Sequence, residues 1–204
     1  MKKVIAIVGM PGSGKSVATG VAAREGFPVI SMGDVIREEA MLRGLNPSPE
    51  NIGRIMLELR DEEGDDAVAR RCIPRIEAEK SNVVIVEGIR SMAEVEAFKR
   101  KYPDFILIGV HASPETRLRR LVARGREDDP RTLSHFRERD KRELQVGIGN
   151  AIAMADYMLV NEGDIEEFKE KVRKLLRRVI DENKGGDPSK PCLLYTSPSP
   201  RDRG

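Results

Sequence analysis

Cysteine is nearly missing: Cys72 and Cys192 are the only two in 204 residues. They form no CxxC pair and show no metal-ligand spacing, so a disulfide framework is not expected and a reducing cytosol is. A surplus of charge is missing too. Lysine and arginine number 36 against 34 acidic residues, a formal net charge of +2. That balance argues against a general nucleic-acid-binding or membrane-surface protein. No apolar run approaches the length of a membrane span. The short run after Met1 leads straight into a glycine loop, without the small-residue cleavage site of a secretory signal. Tryptophan is absent and charged residues reach 34%, a composition compatible with a thermophilic origin. The expectation is a soluble, cytoplasmic protein with no membrane contact, either monomer or homodimer.

What is present is an α/β pattern. Apolar runs without alternation at 4–8, 82–86, 105–110 and 157–160, with a shorter one at 27–31, read as strands buried on both faces of a sheet. Helical segments are expected at 15–24, 34–42, from Ser48 onward, 65–80 despite Pro74, 92–101, 114–124, 133–155 with a break near Gly147 and Gly149, and 165–182. Ser48 and Ser113 are each followed by proline and glutamate, the cap, first-turn proline and acid of a helix start. Asp164 with Glu167 three residues later has the spacing of a capping box. Alternating strands and helices give an α/β fold with a five-stranded parallel sheet, helices on both faces and a short lid. Ligands then belong at the carboxyl ends of the strands.

The chain reads as a single domain over 1–184, with acceptor-side helices at about 34–80 and a lid at about 124–137. Residues 185–204 read as a disordered tail rich in Pro, Ser and Gly. Within it, CLLYTSPSPRD looks like the translation of a sequencing adapter, so residues from about 192 read as a cloning or assembly scar.

The chemistry starts at GMPGSGKS, residues 9–16, a full GxxxxGK[ST] match between an expected strand and an expected helix. Gly9, Met10, Pro11, Gly12, Ser13, Gly14, Lys15 and Ser16, with Val17 behind them, should cradle a nucleotide's phosphates with inward N–H groups at a helix N-terminus. Lys15 should reach the β- and γ-phosphates and Ser16 should ligate Mg²⁺. A guanine-reading [NT]KxD segment is absent, since Asn183-Lys184 is followed by Gly-Gly. A motor or AAA-type machine would typically carry Asp-Glu after the third strand, where this chain has a lone Glu87. A kinase calls for arginines from several segments. Arg37 and Arg90 follow strand ends, Arg117, Arg120 and Arg124 share a helix, and Arg126, Arg131, Arg137, Arg139 and Arg142 follow it.

The ordered segments GMPGSGKS, ISMGDVIREE, VVIVEGIRS, RLVARGREDD and ADYMLVNEG resemble the nucleoside-monophosphate kinase and dephospho-coenzyme A kinase group of P-loop proteins. Within it the chain is most similar to archaeal adenylate-kinase-like proteins. The resemblance covers about residues 1–182 and implies an ATP- and Mg²⁺-dependent phosphotransferase with a small-molecule phosphoryl acceptor. It implies that Asp34 and Arg37 approach the acceptor, Arg37 and Arg90 gripping its phosphate, and that Glu87 orients Mg²⁺. Arg120 and Arg124 would flank a mobile lid, and Arg126 with Arg137 or Arg139 would close over the transferring phosphoryl. Asn161, in NEG, would border the base. EGIRS departs from the DGxPR of adenylate kinases, which puts AMP as acceptor in doubt. Arg139, Asp140, Arg142 and Glu143 stand as either a substrate contact or a solvated ion-pair face. A regulatory ATPase without an acceptor is the alternative, and a nucleic-acid-associated ATPase ranks below it. His111 reads as structural, His135 as exposed, Cys72 as core, and Met41, Met56 and Met92 as packing.

Overall fold

The computed structural model describes residues 2–126 and 129–181. The tail at 185–204, with its candidate scar, lies outside the described residues. Five strands, β1 (Lys3–Val8), β2 (Val29–Ser31), β3 (Val83–Glu87), β4 (Ile106–His111) and β5 (Tyr157–Val160), pair in the order β2-β3-β1-β4-β5. Every pairing is parallel. The helices are α1 (Lys15–Arg24), α2 (Met32–Leu42), α3 (Pro49–Glu63), α4 (Ala67–Ala78), α5 (Met92–Lys101), α6 (Pro114–Arg124), α7 (Leu133–Val146), α8 (Ile148–Ala153) and α9 (Ile165–Asp181).

The unalternating runs explain themselves in the packing. Along β1, Val4, Ala6 and Val8 enter a core completed by residues of α2, α3, α4, α5 and α8. Ile5 and Ile7 enter a second core with Val21 and Ala22 of α1 and Phe168, Val172 and Leu176 of α9. Side chains of a strand point alternately to its two faces, so a central strand covered on both must be apolar throughout. Ser48 Oγ accepts from Asn51 N and Ser113 Oγ from Thr116 N, both at 3.3 Å, as the two serine caps require. Pro74 sits inside α4 without ending it.

The break expected near Gly147 is present: Gly147 adopts φ 107° and separates α7 from α8. Two sequence expectations change. Met41 is 58% exposed, so it does not serve the core. His111 is exposed at the end of an inner strand rather than structural. Cys72 is fully buried, as expected, and that burial pushes its thiol up to about 12, far from reactive.

Candidate active site

The phosphate loop joins β1 to α1, at the carboxyl end of the central strand. Its shape depends on glycine. Gly14 has φ 110°, and a Cβ there would lie 2.2 Å from Asn161 Nδ2. Beside the loop opens a cavity of about 350 Å³. Gly9, Pro11, Gly12, Gly14, Lys15, Ser16 and Val17 form one wall. Glu87, Gly88, Ile89 and Arg90 come from the end of β3 and the turn after it, and Arg120, Arg124, Arg126, Arg139 and Glu143 come from α6, the turn beyond it and α7. Strand-end residues and arginines from distant segments thus share one space.

Lys15 Nζ donates to Gly9 O at 2.5 Å and to Met10 O at 3.2 Å. Burial lowers its ammonium from 10.5 to about 8, opposed by the charges of Glu143 and Glu87 and reinforced by those of Arg90 and Arg139. A polyphosphate beside this amine would favour its charged form. Nucleotide binding should therefore draw about one proton from solution near about pH 9, where the free amine is mostly neutral, and almost none near about pH 6.5. Calorimetry in buffers of different ionisation enthalpy reads that uptake directly. A pH-independent proton count would show that Lys15 does not meet the phosphates.

The arginines are organised by buried carboxylates. Asp129, 7% exposed, accepts from Arg124 Nε at 2.8 Å, from Arg126 N at 3.0 Å and from Arg139 Nη1 at 3.4 Å. The Arg124 bond, above all, holds the Asp129 carboxyl below its usual range. Arg117 is 4% exposed and does not line the cavity. Its guanidinium donates to Pro11 O at 3.2 Å and to Asp140 Oδ1 at 2.8 Å, and lies 4.9 Å from the centre of the Phe136 ring. It ties α7 to the phosphate loop. Glu94, 1% exposed, accepts from Arg90 N at 2.7 Å, Ser91 N at 3.2 Å and Arg60 Nη2 at 3.0 Å. Ser91 and Glu94 form a reciprocal capping box that fixes the turn carrying Arg90.

Six of the expected site residues are not among those that line the cavity. Met10 packs against the core and Ser13 is buried beneath the loop, 1% exposed. Asn161, 2% exposed, donates from Nδ2 to Ser13 O at 2.8 Å and accepts from Arg120 Nη2 at 3.2 Å. It braces the loop from behind and does not line the cavity. Its neighbour Glu162 accepts from Thr116 Oγ1 at 2.6 Å, at the start of α6. Asp34 and Arg37 pair with each other, Arg37 Nε to Asp34 Oδ1 at 3.0 Å, each about half exposed and outside the cavity lining. They stand close by, because Gly88 at the cavity packs on Met32 and Gly33. Arg137 is exposed and lines a separate groove between α6 and α7, so of this pair the one at the cavity is Arg139. Glu143 is 9% exposed and accepts from Arg90 Nη1 at 2.7 Å with both oxygens. The mixed segment 139–143 therefore divides: Arg139 and Glu143 face the cavity, Asp140 faces Arg117, and Arg142 faces solvent.

Two features fit a bound nucleotide with its metal. Arg120 Nη1 is buried at the cavity without a hydrogen-bond partner, as a guanidinium awaiting an anion would be. Ser16, exposed in the first turn of α1, and Glu87, ending β3, supply hard oxygen donors of the type Mg²⁺ takes. No cluster of three acidic, histidine or cysteine ligands exists among the described residues, so these offer no complete cage of their own.

Sheet, loop and cavity together define a P-loop protein of kinase-like fold. The family description "AAA domain" matches residues 8–137. The chain belongs to the UPF0200 family: a UPF0200 protein of Hyperthermus butylicus is 48% identical over 176 residues, covering 86% of this chain and 94% of that one. A UPF0200 protein of Thermococcus gammatolerans is 44% identical, over 90% of this chain and 99% of its own. Among solved structures, TT1252 from Thermus thermophilus superposes with TM-score 0.62 at 19% identity, covering 87% of this chain and 97% of its own. Shikimate kinase from Acinetobacter baumannii, in complex with shikimate, gives 0.55 at 14%, covering 91% and 97%. At such identities the likeness concerns the fold. Among the described residues no helix is long and apolar enough to cross a membrane.

Proposed function

We propose that the chain is an ATP-dependent phosphotransferase that moves the γ-phosphoryl of Mg-ATP to a small-molecule acceptor. The observation that carries this reading is the cavity itself. It sets the phosphate loop and Lys15 against Arg120, Arg124, Arg126 and Arg139 on one side and Arg90 on the other. A simple nucleotide-binding module has no need of charged groups converging from three distant segments. Phosphoryl transfer does, because its catalysis is mainly positioning and charge neutralisation.

The phosphate-loop amides and Lys15 would hold the donor, and Arg120 would meet its phosphate oxygens. Arg124, Arg126 and Arg139, organised by Asp129, would close over the transferring group and exclude water. Ser16 and Glu87 would hold Mg²⁺, which neutralises phosphate charge when bound. Asp34 and Arg37 would stand at the rim where an acceptor enters. A small-molecule acceptor also suits the fold, since one structural neighbour is a kinase in complex with its small substrate.

The alternative is a regulatory ATP-binding protein. One observation favours it: a groove between α6 and α7 is walled by Leu118, Leu133, Phe136 and Leu144, with Leu133 49% and Leu144 54% exposed. Radiolabelled ATP, tested against nucleoside monophosphates, dephospho-coenzyme A and hydroxylated metabolites, separates the two. Label should move to one acceptor class. Slow hydrolysis indifferent to every acceptor would make the regulatory reading the correct one.

A further inference from the structure

Lys15, Arg120, Arg124, Arg126 and Arg139 reach the donor side of the cavity. On the acceptor side each arginine has its own carboxylate: Arg37 is paired with Asp34 and Arg90 with Glu143. These are the two arginines that a phosphate-bearing acceptor would call on.

Glu143 is also not placed to withdraw. It lies in the last turn of α7, between two anchored points. One turn earlier Asp140 holds the buried Arg117. One turn beyond, Gly147 lies beside Arg90 O and Ser91, where a Cβ would be in ordinary contact at 3.9 Å from each. The carboxylate is a fixed part of the cavity wall. A second anion docked at Arg90 would lie beside it, and like charges in a half-buried site repel strongly. A neutral hydroxyl meets the opposite situation. A carboxylate accepts its hydrogen bond, and Arg90 Nη1, 2.7 Å from both Glu143 oxygens, aims that carboxylate.

We infer that the acceptor presents an alcohol rather than a phosphate, and that Glu143, held between Arg90 and the braced end of α7, is the base that takes its proton. The inference rests on the phosphotransfer reading above. In the step, the alcohol oxygen forms a bond to the γ-phosphorus as the bond from that phosphorus to the β,γ-bridging oxygen breaks. The bond's electrons leave with ADP, and the alcohol proton passes to the Glu143 carboxylate, which returns it to solvent after product release.

The test works with the acceptor still unidentified. The full chain is incubated with γ-labelled ATP and a protein-free filtrate of small metabolites, and the labelled product is heated briefly in strong acid. A phosphate monoester survives this treatment and a phosphoanhydride does not. Surviving label is the expected result. Acid-labile label overturns the inference while leaving the phosphotransferase standing, and hydrolysis alone overturns both. Glu143→Gln, which keeps the shape, should lower the transfer rate by about 10²–10⁴-fold while ATP-dependent thermal stabilisation is still present. Glu143→Asp should recover part of the rate. A Gln variant that transfers at the normal rate, or that loses ATP binding along with transfer, removes Glu143 from the role of base.

Discussion

Lys15→Ala is expected to lose all nucleotide-dependent thermal stabilisation. In the native chain, ATP at a hundredfold excess over its Kd should add about 2.7 kcal/mol of stability. For a chain of this length that corresponds to a rise of roughly 5–10 °C in Tm. The variant should melt at one temperature with or without Mg-ATP. The ligand-free protein should be little harmed, because the lysine's burial already lowers its ammonium to about 8 and its two partners are carbonyls of its own loop. Differential scanning fluorimetry with and without Mg-ATP checks both halves. Full stabilisation retained in the variant would refute the assignment of the phosphate loop.

Glu94→Ala should produce the largest loss of stability of any single change at the site, about 3–5 kcal/mol. The carboxylate is 1% exposed and serves three donors: two backbone N–H groups of the turn at Arg90 and Ser91, and the guanidinium of Arg60 on α3. Alanine would leave the Arg60 charge facing a void, its side chain only 10% exposed. It would also free the turn that aims Arg90. Glu94→Gln keeps the shape, but its amide can replace only part of this acceptor capacity, so it should fall between. Chemical denaturation gives the ranking. Equal stability of the Ala variant and the native chain would mean that water takes over all three bonds.

Much of this was legible in the sequence because it is local. The phosphate loop, the serine caps and the buried strands each declare themselves within a few consecutive residues. Even the capping box at Ser91 and Glu94 has its signature in SMAE, although nothing nearby announces that Arg60 joins it from α3. The choice between Arg137 and Arg139 shows where locality fails. Arg137 and Arg139 are two positions apart, so roughly 200° of helix rotation separates them. Which one faces the nucleotide depends on the phase of α7, and that phase is set by Phe136 and Glu143 turning inward. The i,i+4 relation of Arg139 and Glu143 was the available clue. Asn161 was out of reach for another reason. Its place behind the loop comes from β5 ending beside β4, where Asn161 N donates to His111 O at 2.8 Å. Asp34 and Arg37 read as acceptor groups while their simplest partners, three residues apart on one helix, were each other.

Arg117 has a last consequence for how this protein can change. It is a single rivet through two elements, with Pro11 of the phosphate loop on one side and Asp140 of α7 on the other. The loop's position and the helix's tilt are therefore not independent variables. A lineage or a designer seeking a wider mouth for a bulkier acceptor cannot swing α7 outward and leave the donor loop where it stood. The two must be re-cut together, or the rivet replaced first.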